Sequence, residues 1–201
     1  MFTGIIQAIG QINHVELMGG DVRLNIASGA LDMADVATGD SIAVNGVCLT
    51  VVEHDAQSFQ VHASAETLRC TAGLSAIGDV NLEKALCLGV HLGGHMVSGH
   101  VDGVGEVVRF DSIGDCKLLA IRAPHLLSRY VAVKGSITVN GVSLTVNTVD
   151  HDDFTINLIP HTLAVTTLYT LATGSKVNLE VDLIARYVER AAEWSREDSN
   201  K

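Results

Sequence analysis

The sequence predicts an all-β protein in which two six-stranded Greek-key β-barrels, related by internal duplication, are followed by a C-terminal α-helix. Three observations lead to this prediction: an internal repeat of domain length, short apolar runs with a period of two, and one helical stripe confined to the end of the chain. The lack of long helical patterns between the apolar runs favours sheets closed on themselves over a layered α/β fold.

The internal repeat sets the domain organisation. The segment SIAVNGVCLTV at residues 41–51 recurs as SITVNGVSLTV at residues 136–146, an offset of 95 residues. The same offset relates the opening MFTG to MVSG at residues 96–99, and VNLE near the end of each copy recurs at an offset of 97. A repeat of this length has the size of a domain. We therefore predict two barrels, then an oligomerisation helix with its tail, at residues 1–95, 96–183 and 184–201.

Each copy contains six short runs of strand-like sequence. In the first copy they lie at residues 4–15, 22–27, 41–44, 47–52, 59–62 and 79–83. Each has a counterpart in the second copy, and the first counterpart covers residues 99–110. Asn-Gly joins the third run to the fourth at Asn45-Gly46, and again at Asn140-Gly141. Both residue types tolerate a positive φ angle, so the pair predicts a tight hairpin turn.

Helical patterns are few. Short helical turns are expected at residues 65–69 and 162–166, and a longer helix at residues 183–197. The longer helix has one apolar stripe, made of Leu183, Ile184, Tyr187, Val188, Ala191 and Trp194. Such a stripe must be buried, either on its own domain or against other subunits. We favour other subunits and expect a homo-oligomer.

Composition and charge exclude several classes of protein. Apolar residues make up 47% of the chain and charged residues 18%, which is enough to fill cores. The net charge of −10, with scattered basic residues, argues against nucleic-acid binding. No apolar run approaches the roughly 18 residues that a membrane span needs, and no signal peptide is evident. The four cysteines lack C-x-x-C spacing and indicate reduced thiols, so we expect a cytoplasmic protein.

Several motifs together resemble one family. MFTGI, NGVCLTV, ETLR, GGHMVSGHVDG, NGVSLTV, IPHTL and RYVER follow one another over residues 1–190 in the order found in riboflavin synthases. The resemblance implies a transferase that dismutates 6,7-dimethyl-8-ribityllumazine by four-carbon transfer. The products would be riboflavin and 5-amino-6-(D-ribitylamino)uracil, in the last step of riboflavin biosynthesis.

The resemblance also implies an assembly. The family is homotrimeric, binds one ligand in each lumazine-binding barrel, and uses no metal or organic cofactor. Its active site lies between the first barrel of one subunit and the second barrel of a neighbour. Whether this chain also associates with lumazine synthase stays open, and no nucleic-acid or membrane partner is expected.

The family's ligand-binding positions carry over by motif, and the repeat relates the two sets. The first barrel would use Gly4, Ile5, Ile6, Cys48, Leu49, Thr50, His62, Ala63, Ser64, Ala65, Glu66 and Thr67. The second would use Gly99, His100, Val101, Ser143, Leu144, Thr145, Asn157, Leu158, Ile159, Pro160, His161 and Thr162. Lys134 matches a lysine that the family lends across the subunit boundary. Two equivalent pockets suit a reaction between two identical molecules.

Positions where the copies differ are the candidate catalytic residues. His100 replaces Ile5, and because imidazole is the side-chain type best suited to proton transfer near neutral pH, it is the first candidate for a base or proton shuttle. The alternative is a strand histidine that is merely hydrogen-bonded. Cys48 stands opposite Ser143; we expect Ser143 to hydrogen-bond a substrate and Cys48 to line its pocket, with a nucleophilic role for Cys48 as the less favoured interpretation.

Three further polar residues occupy family positions. Asp182 replaces Ala85 and could orient a base, bind ribityl hydroxyls or be a surface carboxylate. Thr145 could contact ligand or only favour a strand, and Ser41 completes the set. His91, His95 and His100 lie close in sequence, but they lack an acidic partner with ligand spacing, so no metal site is expected.

The main alternative is a lumazine- or flavin-binding antenna protein of the same fold that does not turn its ligand over. Two complete sets of pocket residues, His100 and a full tail helix favour the enzyme. A flavin-dependent reductase would need a nicotinamide domain, for which no residues remain.

Overall fold

The computed structural model describes residues 1–199, and its first half is a closed antiparallel barrel. The strands follow the order β1-β2-β5-β4-β3-β6 around the barrel. This confirms the predicted six-stranded barrel. Its elements are β1 (Ala8–Met18), β2 (Asp21–Ala27), β3 (Ser41–Val44), β4 (Val47–His54), β5 (Ser58–Ala63), α1 (Ala65–Cys70) and β6 (Gly78–Lys84).

The second half repeats this arrangement with seven strands in the order β10-β9-β13-β7-β8-β12-β11. Its elements are β7 (Gly103–Ile113), β8 (Cys116–Arg122), α2 (His125–Ser128), β9 (Ser136–Val139), β10 (Val142–Thr145), β11 (Thr148–Asp150), β12 (Asp153–Leu158), α3 (Pro160–Val165), a 3₁₀ turn (Thr167–Thr170), β13 (Lys176–Val181) and the tail helix α4 (Leu183–Ser199). The two residues of the predicted tail that follow, 200–201, lie outside the described residues.

The prediction of six strands in the second half was wrong by one. The counterpart of β4 is interrupted after Thr145, so that it forms both β10 and β11. At the interruption the Val146 N–H donates to the Gly135 carbonyl at 3.0 Å, and the Asn147 N–H donates to Thr155 at 2.8 Å. β10 and β11 are the two edge strands of this sheet, and Val146 and Asn147 link them directly.

Each half has its own hydrophobic core. Phe59 on β5 and Phe154 on β12 are equivalent in the repeat, and both are essentially inaccessible to solvent. β5 and β12 also share one alternating pattern of burial along their six residues. Burying one such side chain contributes about 1.5–3 kcal/mol, so this repeated alternation stabilises two similar barrels.

The Asn-Gly turns form as predicted and also join the halves. Asn45 and Gly46 have φ angles of 47° and 81°, and Asn140 and Gly141 have the same values. Positive φ at both central residues matches the twist of the flanking strands. The two turns lie against each other, because a Cβ atom on Gly46 would fall 2.7 Å from the Gly141 nitrogen.

Four asparagines extend this contact symmetrically. Asn81 Nδ2 donates to the Asn140 carbonyl at 2.9 Å, and Asn178 Nδ2 donates to the Asn45 carbonyl at 3.0 Å. Within each half, Asn45 and Asn140 accept through Oδ1 from the backbone of Asn81 and Asn178. Each half thus presents the same surface to the other, as in an isologous dimer. The halves are related by a pseudo-twofold axis between the turns.

Helix α4 turns its polar side toward the second barrel. Arg186 pairs with Asp102 at 2.5 Å, and Arg129 beside α2 pairs with Glu193 of α4 at 3.2 Å. The predicted apolar stripe therefore points away from the domain: Ile184, Tyr187, Val188 and Trp194 are 61–68% exposed. None of the helices in residues 1–199 is both long and apolar enough to span a membrane.

Candidate active site

The opening segment of each repeat lies on the other repeat's barrel. The Ser143 N–H donates to the Gly4 carbonyl at 2.7 Å, and the Cys48 N–H donates to the Gly99 carbonyl at 2.9 Å. Assigning residues 4–6 to the first barrel's pocket and residues 99–101 to the second was therefore wrong. The two segments are exchanged across the pseudo-twofold axis.

Hydrophobic packing shows the same exchange. Ile6 packs against the core of the second barrel, and Val101 packs against the core of the first. The strands consequently begin later than predicted, at Ala8 instead of residue 4 and at Gly103 instead of residue 99. Before each strand begins, the chain thus contacts the neighbouring barrel.

Two buried glutamates hold these segments in place. Glu83 accepts hydrogen bonds from the Thr3 N–H at 2.6 Å, the Thr3 hydroxyl at 2.6 Å and the Gly4 N–H at 3.0 Å. Glu180 accepts the equivalent three bonds from Ser98 and Gly99. Burial raises the pKa of both carboxyls above the ordinary glutamate value, and these hydrogen bonds oppose the shift.

Glycine is required where each segment reaches the neighbouring barrel. Gly4 and Gly99 have φ angles of 74° and 79°, in the left-handed region. A Cβ atom on Gly4 would lie 2.6 Å from the Ser143 Cβ, and one on Gly99 would lie 2.6 Å from the Cys48 Cβ. The close approach places Gly4 beside Ser143, and Gly99 beside Cys48.

Each expected pocket therefore draws on three pieces of chain: the opening segment of the other repeat, one strand, and the end of a second strand with the short helix that follows it. At the first barrel, Cys48, Leu49 and Thr50 lie on β4, His62 and Ala63 end β5, Ser64 precedes α1, and Ala65, Glu66 and Thr67 lie in α1. At the second, Ser143, Leu144 and Thr145 lie on β10, Asn157 and Leu158 end β12, Ile159 precedes α3, and Pro160, His161 and Thr162 lie in α3.

At the first barrel, several of these side chains are already engaged. Ser64 Oγ accepts from the Thr67 N–H at 3.1 Å and so caps α1. His62 Nε2 accepts from Arg23 Nε at 2.9 Å. Glu66 pairs with Arg69 at 2.5 Å. These expected site residues are therefore bonded to one another or to Arg23 and Arg69.

His100 lies with the first barrel and not the second. It follows Gly99, whose carbonyl bonds Cys48, and its own N–H donates to Ser98 Oγ at 3.2 Å. Its side chain is exposed. Cys48 is half-buried, and all four cysteines, which fall within residues 1–199, are free thiols. The exchange thus brings His100 and Cys48 to the same barrel.

At the second barrel, Ser143 contacts His95, for which only metal binding was considered from the sequence. Ser143 Oγ lies 2.8 Å from His95 Nδ1. Burial lowers the pKa of His95, and the nearby Asp182 carboxylate partly opposes this shift. The repeat gives no signal for His95, because His95 lies outside the matched segments of the two copies.

The remaining candidates occupy three places. Ser41 on β3 pairs across the sheet with Thr50, and Thr145 pairs with Ser136 in the equivalent position. Asp182 precedes α4 and accepts from the Ile184 N–H at 2.9 Å, so it caps that helix while lying near His95.

Lys134 occupies a strained turn. Its φ angle is 66°, and its N–H donates to Val146 at 2.8 Å. The equivalent residue of the first repeat is Gly39, with φ 98° and the equivalent bond to Val51. A left-handed lysine costs about 1 kcal/mol more than glycine there. The exposed lysine is therefore kept against backbone strain, as functional residues often are.

The expected pocket of the second barrel is open in a single chain. Ile5 is 46% exposed and Ile159 is 53% exposed, although both belong to the expected apolar lining. A neighbouring cleft of about 360 Å³ contains Ile5 but otherwise residues outside the expected site, among them Lys84 and Cys87. Across the described chain, no three His, Cys, Asp or Glu side chains are placed to hold a metal ion.

Comparisons with known proteins agree with this geometry. The lumazine binding domain family matches twice, at residues 3–85 and 98–182. Riboflavin synthase of Photobacterium phosphoreum is 47% identical over 192 residues, covering 94% of this chain and 88% of that one. Riboflavin synthase of Mycobacterium bovis is 48% identical over 197 residues, covering 94% and 97%.

A solved structure shares the double barrel. LumP complexed with 6,7-dimethyl-8-(1′-D-ribityl) lumazine has a TM-score of 0.80 at 27% identity, and LumP complexed with riboflavin has 0.82 at 30%. Each covers 90% of this chain and 99% of LumP. From the two domain matches and the full-length relatives, we conclude that this chain belongs to the riboflavin synthase family.

Proposed function

We propose that this protein is a riboflavin synthase. It converts two molecules of 6,7-dimethyl-8-ribityllumazine into riboflavin and 5-amino-6-(D-ribitylamino)uracil by moving a four-carbon unit between them. One observation carries the proposal: the same barrel arrangement occurs twice, and the opening segment of each repeat lies against the other repeat's barrel at an equivalent place. A dismutation needs two sites for one kind of molecule. The relatives at 47–48% identity support the enzyme, and LumP supports the ligand.

In the proposed pockets the flat, uncharged ring is held mainly by backbone donors and acceptors. Those at the ends of β5 and β12, and along β4 and β10, form two equivalent sets. Holding two molecules in fixed opposition supplies much of the acceleration, since well-oriented reactants gain about 7–11 kcal/mol over a bimolecular encounter. The remaining contribution is proton transfer, which needs positioned acid–base groups.

The polar residues divide between the pockets. His100 is the proposed proton carrier at the first barrel, with Cys48 lining that pocket and Ser41 nearby. Ser143 hydrogen-bonds the substrate at the second barrel, where Thr145 and Asp182 also lie. The strained backbone of Lys134 supports a role for its side chain in a neighbouring subunit's pocket.

A homotrimer completes these pockets. Helix α4 exposes an apolar surface of Leu183, Ile184, Tyr187, Val188 and Ala191, which together with Met96 surrounds a depression of about 470 Å³. Surfaces of this kind mark association sites. Packing of α4 against two other copies buries it, while the first barrel of one subunit faces the second barrel of the next. The free thiols and acidic charge support a cytoplasmic location.

The assay that tests the proposal mixes purified protein with 6,7-dimethyl-8-ribityllumazine and follows its absorbance while riboflavin is measured by chromatography. Catalytic formation of riboflavin supports the enzyme. LumP's likeness in fold makes an antenna protein the second candidate. Tight binding of the lumazine with no riboflavin formed over many hours would establish that candidate instead.

A further inference from the structure

The Ser143 hydroxyl has a partner that can take its proton. Ser143 Oγ lies 2.8 Å from His95 Nδ1, a hydrogen-bonding distance. We infer that His95 is a positioning residue that accepts the proton of Ser143, so that the pair relays a proton from the second barrel's pocket during turnover. The inference rests on the riboflavin synthase activity proposed above.

The geometry of the pair is fixed by the chain on both sides. The His95 N–H donates to the Thr3 carbonyl at 3.2 Å, and the Ser143 N–H donates to the Gly4 carbonyl at 2.7 Å. Gly94 is tightly enclosed, since a Cβ atom there would lie 2.1 Å from the Thr3 oxygen and 2.9 Å from Ser143 Oγ. The opening segment therefore anchors both members, and their contact does not depend on a mobile loop.

The pair exists in only one of the two pockets. Cys48 is the counterpart of Ser143, and its backbone N–H bonds the Gly99 carbonyl as the Ser143 N–H bonds that of Gly4. The linker between the barrels supplies His95 to the Ser143 hydroxyl, whereas the first barrel carries a thiol at the equivalent place. This asymmetry gives the two otherwise equivalent pockets different capacities for proton transfer.

The surroundings suit a proton acceptor. Burial lowers the pKa of His95 below the ordinary histidine value of 6.5, which keeps the ring neutral at pH 7. With Nδ1 accepting from Ser143, the ring proton lies on Nε2. Asp182 is the charged group that acts on His95 within the described chain, and its carboxylate favours the imidazolium. The ring is neutral at rest and stabilised once it gains a proton.

The relay step is balanced. The activated methyl group of the lumazine bound beside Ser143 loses a proton to Ser143 Oγ, while the original Ser143 proton passes to His95 Nδ1. The C–H electron pair stays on the substrate and delocalises into its ring. Serine ends as a neutral hydroxyl, and histidine becomes an imidazolium that later returns its proton to a nitrogen of the departing product.

The test uses the full-length protein and four variants. His95→Asn keeps a hydrogen-bonding group near the position of Nδ1 but cannot titrate, Ser143→Ala removes the relay oxygen, and the double variant combines them. His14→Asn is the control, because His14 is an exposed histidine on β1 outside both pockets. For each protein, kcat is measured from pH 5 to pH 8, with lumazine affinity by fluorescence titration and folding by thermal melting.

We expect His95→Asn to bind lumazine within about threefold of wild type, while kcat falls by about 10²-fold. The acid limb of the wild-type profile, where His95 becomes protonated, should disappear in that variant. Ser143→Ala should lower kcat as much, and the double variant no further, because both changes break one relay. His14→Asn should match wild type. A His95→Asn variant with wild-type kcat and pH profile overturns the inference, as do additive losses in the double variant.

Two measurements on the wild type separate the remaining outcomes. If the variants fail to fold, a wild-type kcat that is flat from pH 5 to pH 8 overturns the relay, and an acid limb below pH 6.5 supports it. If the wild type binds lumazine but forms no riboflavin, the proposed function fails and the inference fails with it. If wild type and His95→Asn form riboflavin at the same rate, the inference fails while the proposed function stands.

Discussion

Gly46 and Gly141 meet backbone to backbone at the pseudo-twofold axis, where a Cβ atom on Gly46 would lie 2.7 Å from the Gly141 nitrogen. Gly46→Ala should therefore lower the free energy of unfolding by about 2–5 kcal/mol, the sum of a left-handed alanine and a clash between the barrels. The change in the free energy of unfolding is measured by urea denaturation of wild type and variant.

The matched control is Gly174→Ala. Gly174 has φ 92° but nothing within 4 Å of its Cβ position, so only the backbone cost of about 1–2 kcal/mol applies. Equal losses from the two substitutions would show that the contact between the turns contributes nothing.

Glu83→Gln should change how stability depends on pH. Burial raises the folded-state pKa of Glu83 above its ordinary 4.5, so its contribution is fully present below pH 4.5 and is lost as pH rises through the folded pKa. The variant lacks this titration. The free energy of unfolding of wild type relative to Glu83→Gln should therefore fall between pH 4 and pH 8, as measured by urea denaturation at each pH.

Glu53→Gln controls for the loss of one negative charge, because Glu53 is exposed on β4. Its unfolding free energy should follow that of wild type. A wild-type advantage over Glu83→Gln that grows with pH would mean that the hydrogen bonds from Thr3 and Gly4 outweigh burial, which is the opposite of the expected direction.

Val188→Glu should dissociate the proposed homotrimer. Val188 is 63% exposed on the apolar face of α4, and a charge placed there would be buried unpaired between subunits. We expect the mass from light scattering to fall from three chains to one, the emission of the single tryptophan, Trp194, to shift, and activity to fall more than about tenfold as shared pockets open. Ile77→Glu, at an equally exposed position of the first barrel, should remain trimeric and active.

Lys134→Gly should make the protein more stable and less active. Glycine relieves the left-handed strain at φ 66° and should raise the unfolding free energy by about 0.5–1 kcal/mol. Loss of the charged hydrogen bond that we propose Lys134 makes to ligand should lower kcat/KM by about 10- to 100-fold. His151→Gly is the control: His151 is also left-handed, at φ 54°, and is exposed. It should gain stability at unchanged activity, and a Lys134→Gly variant with full activity would refute the role of the lysine.

Much of the fold could be predicted because the same sequence pattern occurs twice in the chain. The offset between Ser41 and Ser136 gave the two units, and Asn45-Gly46 and Asn140-Gly141 gave their tight turns. The interruption of the second β4-like strand was harder to foresee. Its visible trace is Asn147, which stands where the first repeat has Val52 and weakens strand preference at one position only.

The exchange of the opening segments could not be predicted from periodicity. Alternation in residues 4–9 indicates an extended chain but not the sheet on which it lies. The deciding contacts are the bonds from the Ser143 N–H to the Gly4 carbonyl and from the Cys48 N–H to the Gly99 carbonyl, which join residues far apart in sequence. The same reasoning explains why His95 was missed, since its partner Ser143 lies 48 residues away and His95 lies outside the matched segments of the repeat.

The central claim is that two equivalent pockets bring together two molecules of one substrate, and a single sample tests it most directly. Purified protein is given 6,7-dimethyl-8-ribityllumazine, and both the lumazine consumed and the riboflavin formed are quantified by chromatography. The account predicts catalytic turnover with two lumazines consumed for each riboflavin and each 5-amino-6-(D-ribitylamino)uracil released. Lumazine that is bound but recovered unchanged, with no riboflavin formed, would contradict it.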